Sequence, residues 1–450
     1  MNGPVPVGAA GRSLDILLLC NRPARRANAG TIVDHLDAFV RHSTHRVRQL
    51  SFVRQLPSAL DLEQFDVLVI HYTIAIGWMS HHFINPETRQ RIRDFTGLKV
   101  AFLQDEYRDV NAAVEALQFM RVDVLFTCVP EGEIEKVYPA ARLPGLAKVS
   151  NLTGYVPQEL LDAPAAPIAG RPIDLGYRTR KPPYWLGELG YEKWAIVERI
   201  EEHAKGSGLN IDLSYREQDR LYGEAWTTFV NRCKAMLGVE SGASVFDFDG
   251  TLQVRVDAYV QAHPQAGFAE VQEKFLQPHE GRVRLNQISP RCFEAAALRT
   301  AMVLYEGEYS GVLRPHRHYV PLRKDFGNFP EVAAALRDTR LLQRMADCAY
   351  EEVARNPAYS YRSFVSVFDG VAAREYAARH AGRPTGRAAP ARVRAQIAAS
   401  PSYVMQRILS AVLQHAVLGT GLRDPLYRIW NRLPEHTKEA FRALMRFMGR

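Results

Sequence analysis

Two carboxylates stand one residue apart in the stretch SVFDFDGTL, residues 244–252, where Asp247 and Asp249 follow apolar residues. One carboxylate of such a pair can attack phosphorus while the other carries a proton, and together they can hold Mg²⁺. The same pair can also hold a divalent ion against a diphosphate. A third interpretation needs no chemistry, because acids in a polar turn can simply begin the helix predicted over TLQVRVDAYVQA.

The residues just before this pair, GVESGAS, follow the apolar run KAMLGV and therefore a predicted strand. Ser241, Gly242 and Ser244 can offer backbone amides and hydroxyls to a phosphate or a sugar. Asp247 and Asp249 then accept hydrogen bonds from sugar hydroxyls or begin the next helix. This stretch therefore predicts a ligand-binding loop that needs no metal ion.

Three candidate catalytic residues follow predicted strands in the first part of the chain. They are His71 in VIHYT, and Asp105 and Glu106 in FLQDEYRD. The carboxyl ends of parallel strands border the ligand-binding crevice of an open α/β sheet. An imidazole suits proton removal at neutral pH, so His71 is our first choice of general base and Asp105 the second. The alternative for His71 is a buried histidine with a structural role.

Short apolar runs alternate with helical patterns along most of the chain. Runs such as LDILLLC, FDVLVIHYT and VDVLFTCV lack alternating polarity, which is typical of strands buried on both faces of a parallel sheet. After the Pro/Ala-rich stretch PQELLDAPAAPIAGRP the alternation restarts with IDLGY, LNIDLSY and KAMLGV. The fold class predicted is α/β, with two Rossmann-like doubly wound domains facing a cleft and a helical C-terminal extension.

The expected domain bounds follow from these composition changes. We expect a flexible lead-in over 1–12, an N-terminal acceptor-side domain over 13–156, a linker over 157–171, a C-terminal donor-binding domain over 172–340, helices packing back on the body over 341–380, and a basic helical tail over 381–450.

Charge is concentrated at the C-terminus. Residues 371–450 hold 14 Lys and Arg against four acids, a net charge of +10, so the other 370 residues carry −2 of the total of +8. A cationic tail on a near-neutral body suggests a local anionic partner such as a membrane surface, and the amphipathic stretches YVMQRILSAVLQHAVL and PLYRIWNRLPEHTKEAFRALMRFMGR favour that interpretation over nucleic acid. The alternative is that these apolar stripes pack on the protein itself.

Cysteine usage indicates a reducing compartment, and hydropathy indicates no membrane-spanning helix. The five cysteines form no Cys-x-x-Cys pair, and no apolar run approaches the ~18 residues of a spanning helix. We therefore expect a cytoplasmic protein, held at the inner face of the membrane if its tail binds lipid.

The segment ISPRCFEAAALRTAMVLYEGEYSGVLRPHRHYVPLRKDFGNFPEV resembles the donor-binding half of GT-B glycosyltransferases, most closely the branch related to the spore-maturation protein CgeB. The resemblance is carried by an Arg-x-Phe-Glu-Ala stretch that opens a helix, then a strand, a glycine-bearing loop and a later aspartate. The matching residues are Arg291, Phe293, Glu294, Ala295, Gly307, Gly311 and Asp325.

This resemblance implies a donor site at the start of that helix. Ser289 is its candidate N-cap and Pro290 its first residue, and free N–H groups at a helix start suit a diphosphate. The resemblance assigns ribose hydroxyls to Glu294, and Arg291 can reach the phosphates. Glu294 could instead be a first-turn acid, and Arg291 a surface ion pair.

Basic residues that follow the strand IDLGYR fit the same site. In related transferases, cations after this strand neutralise the leaving diphosphate, and fixed cations are what that developing charge requires. Here the candidates are Arg178, Arg180, Lys181 and Lys193, any of which could instead be a solvated charge.

Two departures from the family pattern stand out. The retaining relatives carry a glutamate where this chain has Asn286, and the Gly-Thr-Pro that commonly closes the helix reads Arg299-Thr300-Ala301. If residue 299 must be left-handed, an arginine there destabilises the fold by about 1 kcal/mol.

The resemblance implies a glycosyltransferase that moves a hexose-type sugar from a nucleotide-diphosphate donor to a glycan or lipid-linked acceptor in cell-envelope or capsular polysaccharide assembly, without a metal or other cofactor. The alternative is a non-catalytic sugar-nucleotide or polysaccharide-binding protein of the same fold. The third candidate, a haloacid-dehalogenase-type phosphatase, lacks the strand before Asp247 and the later acid pair that such an enzyme needs.

Overall fold

The computed structural model describes residues 13–23, 30–380, 382–383, 388–401 and 403–404. The lead-in over 1–12 and the whole chain after 404, including both amphipathic tail stretches beyond Val404, lie outside these residues.

The first sheet has six parallel strands in the order β2-β1-β3-β4-β5-β6. Four of them are buried along their whole length, as their continuous apolar runs predict, whereas β2 and β6 are partly exposed edge strands that the sequence pattern did not identify. The strands are β1 (Asp15–Cys20), β2 (Arg46–Ser51), β3 (Val67–Ile70), β4 (Leu98–Phe102), β5 (Val124–Thr127) and β6 (Ala147–Ser150).

The second sheet has five parallel strands in the order β11-β10-β9-β7-β8. Helices cover both of its faces in two apolar clusters. The strands are β7 (Ile173–Arg178), β8 (Ile211–Ser214), β9 (Cys233–Gly238), β10 (Ala301–Tyr305) and β11 (Val320–Leu322).

Fifteen α-helices are found in the described residues. They are α1 (Gly30–His42), α2 (Ser80–Phe83), α3 (Pro86–Asp94), α4 (Val110–Met120), α5 (Ile134–Val137), α6 (Gln158–Leu161), α7 (Glu188–His203), α8 (Gly223–Arg232), α9 (Thr251–Ala262), α10 (Phe268–Val271), α11 (Pro290–Ala297), α12 (Phe329–Arg337), α13 (Thr339–Ala349), α14 (Tyr361–His380) and α15 (Pro390–Ala398). Within the described part of the chain, every helix is too short or too polar to span a bilayer.

Two segments from late in the sequence pack on the first sheet. The segment between β9 and α11 places Val245, Phe246 and Leu252 in the apolar cluster on one face of that sheet. On the other face, Phe364 and Phe368 of α14 pack among Phe39, Phe102 and Phe126. The two halves are therefore joined by more than a linker.

The first described part of the basic tail also packs on the body. Val393 of α15 is buried, Tyr403 donates a hydrogen bond to the carbonyl of Ser51 (2.7 Å), and the Arg383 guanidinium bonds Glu63 and the carbonyl of Phe65. The described residues of the tail between 382 and 404 therefore pack on the first half of the molecule.

The strand orders fix where a ligand can bind. Each sheet reverses its winding direction once, between β1 and β3 in the first sheet and between β7 and β9 in the second. In doubly wound sheets the ligand crevice opens outside the carboxyl ends of the strands at this reversal. The two-sheet arrangement is the doubly wound α/β class that the sequence predicts, and it points to residues following β7 and β9.

Candidate functional site

A cleft of about 310 Å³ lies at the reversal point of the second sheet. The segments following β7 and β9 and the start of α11 line it, together with residues before and within α8. The first half contributes Gly30 and Thr31 at the start of α1 and Tyr107 after β4. Both halves of the molecule therefore build the site.

Five cations line this cleft, and three of them, Arg180, Lys193 and Arg291, form no ion pair within the described residues. Arg180 and Arg291 are exposed, whereas Lys193 on α7 is largely buried and donates to the carbonyl of Gly242 (2.9 Å). The pKa of Lys193 is lowered to about 8, chiefly by burial and also by the nearby Arg180 and Arg291, while Asp105 opposes this shift. Three cations gathered without an equal number of acids form a site for an anion such as a diphosphate.

Arg291 is held in place by its neighbours. Its guanidinium donates to the carbonyl of Arg178 and lies 5.3 Å from the centre of the Trp226 ring. These contacts use one N–H group and one face of the guanidinium, so the remaining donors are available to a ligand.

The start of α11 adds backbone donors. Ser289 is the N-cap and Pro290 the first helical residue, as predicted, and both line the cleft. The Ser289 hydroxyl makes no capping hydrogen bond. The first N–H groups of the helix are therefore free of side-chain caps.

Glu294 lies one turn further along α11, on the cleft wall. Its Oε2 accepts a hydrogen bond from Trp226 Nε1 (2.7 Å). Burial, partly offset by the indole hydrogen bond and by Arg291, raises the pKa of Glu294 to about 7. The second carboxylate oxygen remains available to hydroxyl groups.

A second carboxylate, Glu240, lines the cleft directly after β9 and is only 7% exposed. It accepts hydrogen bonds from Asn286 Nδ2 (2.7 Å) and from the backbone N–H groups of Glu308 (3.1 Å) and Tyr309 (2.8 Å). The sequence predicted its neighbours Ser241 and Gly242 as ligand-binding residues but gave no signal for Glu240.

Four predicted donor residues lie outside the cleft lining. The amides next to Gly307 bond Glu240 instead of a phosphate, and a Cβ on Gly307 would meet the Glu240 carboxyl carbon at 2.8 Å. Gly311 lies in the next turn of this loop, with φ +72°. Gly242 has φ +102° and no room for a Cβ beside the carbonyl of Leu285. The Ser244 hydroxyl accepts from Leu189 N (3.1 Å) and so caps α7.

Two further predicted cations have structural partners. Arg178 lines the cleft, but its guanidinium forms an ion pair with Asp212 (2.7 Å) and lies 4.2 Å from the centre of the Phe229 ring. Lys181 is stacked on Trp194, with its Nζ 3.9 Å from the ring centre. Arg220, which also lines the cleft, forms an ion pair with Glu217 (2.8 Å). Arg180, Lys193 and Arg291 therefore remain as the cations directed to a ligand.

The Asp-x-Asp pair is a structural turn. The buried Asp247 carboxylate accepts from the backbone N–H groups of Leu252 (3.3 Å) and Gln253 (2.8 Å), and Asp249 accepts from Thr251. These bonds cap the start of α9, while the backbone of Asp247 pairs with Tyr107 and Val110 of the first half. The pair follows no sheet strand directly and caps a helix, so the structure gives no support to the phosphatase interpretation.

Two of the three predicted catalytic residues are buried away from the cleft. His71 is fully buried, with Nε2 2.9 Å from His35 Nδ1, and burial holds its pKa well below the ordinary value. Glu106 accepts from the Thr127 hydroxyl (2.6 Å) and Cys128 N (2.7 Å), and burial raises its pKa to about 7. Both side chains stabilise the first half of the molecule.

Asp105 is the exception. It is exposed, has φ +57°, and accepts a hydrogen bond from the hydroxyl of Tyr107 (3.0 Å), a residue that lines the cleft. It also influences the pKa of Lys193 across the cleft. Of the three predicted bases, Asp105 is the one placed beside the cations.

One group of possible metal ligands occurs in the described residues: His318, Cys348 and Glu352. The Glu352 carboxylate already bonds the guanidiniums of Arg314 and Arg317 as well as His318. These cations neutralise the carboxylate, so the cluster is an ion-pair network rather than a metal site.

No protein-family profile matches the chain, and no curated protein matches its sequence. Among solved structures, an α-glucosyltransferase in complex with UDP-glucose and DNA containing an abasic site aligns with 81% of this chain and 100% of its own, at 12% identity and a TM-score of 0.48. The T4 phage BGT in complex with its UDP-glucose substrate aligns with 80% of this chain and 99% of its own, at 10% identity and a TM-score of 0.42. TarM aligns with 70% of this chain and 56% of its own, at 9% identity and a TM-score of 0.37.

Proposed function

We propose that this protein is a glycosyltransferase that binds a nucleotide-diphosphate sugar in the cleft at the start of α11. One observation carries the proposal: Arg180, Lys193 and Arg291 line the same cleft as the start of α11, which has no side-chain cap, and as the carboxylate of Glu294. Cations and helix N–H groups bind phosphates, and a carboxylate accepts hydrogen bonds from ribose hydroxyls.

The same groups support a catalytic role. Departure of the sugar leaves negative charge on the diphosphate, and fixed cations in a partly buried cleft stabilise that charge. Asp105, which accepts a hydrogen bond from the cleft residue Tyr107, is the group that can receive the proton of an acceptor hydroxyl. The proposal includes donor binding without a metal ion, which the use of the Asp247 and Asp249 oxygens in helix capping supports.

The finer parts of the proposal rest on the resemblance of the α11 segment to the CgeB-related branch. They are a hexose donor, a glycan or lipid-linked acceptor, and a place in envelope or capsular polysaccharide assembly. The proposed contact with anionic membranes rests on the charge of the tail. Because α15 packs on the first sheet, the membrane contact is tested by a truncation after Val404 that keeps this helix. The truncation should abolish binding to anionic vesicles and leave donor affinity intact.

The test of the central proposal is a thermal-shift and calorimetric panel of UDP, GDP, ADP, CDP and their sugar conjugates, with and without EDTA. We expect one nucleoside diphosphate to bind and to raise the melting temperature equally in both conditions. Binding that disappears in EDTA and returns with Mg²⁺ or Mn²⁺ would overturn the metal-free site. If no nucleotide binds, the transferase proposal fails.

A non-catalytic binding protein of the same fold is distinguished by turnover. We expect the bound sugar nucleotide to be hydrolysed slowly in the absence of acceptor, with release of the nucleoside diphosphate, and Asp105→Asn to reduce that rate without changing donor affinity. Donor binding with no turnover that exceeds the spontaneous rate would favour the binding protein.

A further inference from the structure

Glu240 has a position and a set of contacts that the proposed phosphate and ribose contacts do not use. Two acidic residues line the cleft, Glu294 and Glu240. Along the chain, the start of α11 lies between Glu294 and Asn286, the residue whose side chain bonds Glu240. The backbones of Ser241 and Gln287 also pair, so Glu240 lies beside the segment that precedes α11, whereas Glu294 lies one turn inside the helix.

The order of groups in a sugar nucleotide matches this order in the cleft. Ribose, diphosphate and sugar follow one another in the donor. If ribose contacts Glu294 and the diphosphate contacts Lys193, Arg291 and the helix start, the sugar extends to the far side of that helix start. Glu240 is the acidic residue of the cleft lining on that side.

The carboxylate of Glu240 is fixed before any ligand arrives. A carboxylate has about four acceptor positions, and the three hydrogen bonds from Asn286, Glu308 and Tyr309 use three of them. The last position remains for one more donor. Groups held in this way lose little entropy on binding, which favours their use in recognition.

We propose that Glu240, oriented by Asn286, recognises the sugar of the donor by accepting a hydrogen bond from one of its hydroxyls. This inference rests on the proposed donor site and adds the residue that distinguishes a sugar nucleotide from the bare nucleoside diphosphate. The inference also gives Asn286 a role, because the Asn286 side-chain amide donates a hydrogen bond to the carboxylate of Glu240, which follows β9.

The experiment compares two ligands in each variant. Calorimetry measures the Kd of the diphosphate and of its hexose conjugate, using UDP with UDP-glucose, GDP with GDP-mannose, or ADP with ADP-glucose, whichever pair binds the unmodified protein. Glu240→Gln should weaken the conjugate about tenfold, the size expected for loss of a charge-assisted hydrogen bond, and change the diphosphate Kd less than twofold. Asn286→Ala, which keeps the backbone bonds of Glu240, should weaken the conjugate in the same direction by about threefold.

Glu308→Gln is the matched control, because it removes one exposed carboxylate from the loop that Glu240 contacts. It should change neither Kd. Equal weakening of both ligands by Glu240→Gln would show that Glu240 only organises the loop, and unchanged values for both would show no role; either result overturns the inference while leaving the donor site. If no pair binds the unmodified protein, the proposed function itself has failed.

Discussion

Binding of the donor should depend on pH through Lys193. Burial beside Arg180 and Arg291 lowers the pKa of the free lysine to about 8, from an ordinary 10.5. A diphosphate between these cations removes that penalty, so binding raises the pKa. Affinity is therefore greatest below pH 8, where the lysine is protonated in both states, and falls as pH rises toward the pKa of the bound form.

The size of the effect follows from those two values. If the bound lysine regains its ordinary pKa, affinity falls about 20-fold between pH 7.5 and 9.5, or about 2 kcal/mol. At pH 8.5, binding should take up about 0.7 proton. The terminal phosphate ionises near pH 6 and contributes little in this range.

Calorimetry at three pH values, in buffers with different ionisation enthalpies, measures both quantities. Lys193→Arg keeps its charge throughout and should give a flat profile, whereas Lys181→Arg, outside the cleft, should retain the wild-type slope. A flat profile in the unmodified protein, or an unchanged slope in Lys193→Arg, would refute the assignment of Lys193 to the phosphate site.

Three further predictions concern stability. Asp247→Ala removes the cap of α9 and should lower the free energy of unfolding by about 1–2 kcal/mol in urea titration, with unchanged nucleotide affinity; a loss of affinity at unchanged stability would restore a ligand-binding role. Burial lowers the pKa of His35 to about 3, so the free energy of unfolding should fall as pH drops below 6.5, by up to about 1.4 kcal/mol per pH unit. A His35→Gln variant should lack this contribution. An identical acid dependence of the two proteins would contradict the prediction. Arg299 has φ +47°, but its guanidinium pairs with Asp347 and stacks on Tyr350. Arg299→Gly should therefore change the free energy of unfolding by less than about 1 kcal/mol, whereas Arg299→Val should lower it by more. Equal unfolding free energies for the two variants would exclude backbone strain at this position.

The sequence was most informative where local structure alone fixes a side chain. Uninterrupted apolar runs identified most strands, and the Ser-Pro start of α11 placed Arg291 and Glu294 correctly at the cleft. The missing glycine at the end of this helix predicted the left-handed Arg299. These features depend on residues close together in the chain.

The errors concern the direction of side chains after a strand and contacts between distant segments. His71 and Glu106 follow strands as predicted, but their side chains turn into the interior. Glu240 was missed because its partners, Asn286 and Tyr309, lie about 50 and 70 residues later. The sequence allowed a helix-capping role for Asp247. Its backbone pairing with Tyr107 of the first half could not be predicted, because the two residues lie far apart in the chain.

The most direct test of the central claim measures nucleotide affinity in two cleft variants and their matched controls. Arg291→Ala and Glu294→Ala should each weaken the bound nucleoside diphosphate by about 1–3 kcal/mol in calorimetry, since each loses a charged hydrogen bond, with or without EDTA. Arg340→Ala and Glu331→Ala, exposed on helices away from the cleft, should leave the affinity unchanged. Unchanged affinity in folded Arg291→Ala and Glu294→Ala proteins, or equal losses in the controls, would contradict the placement of the donor at the start of α11.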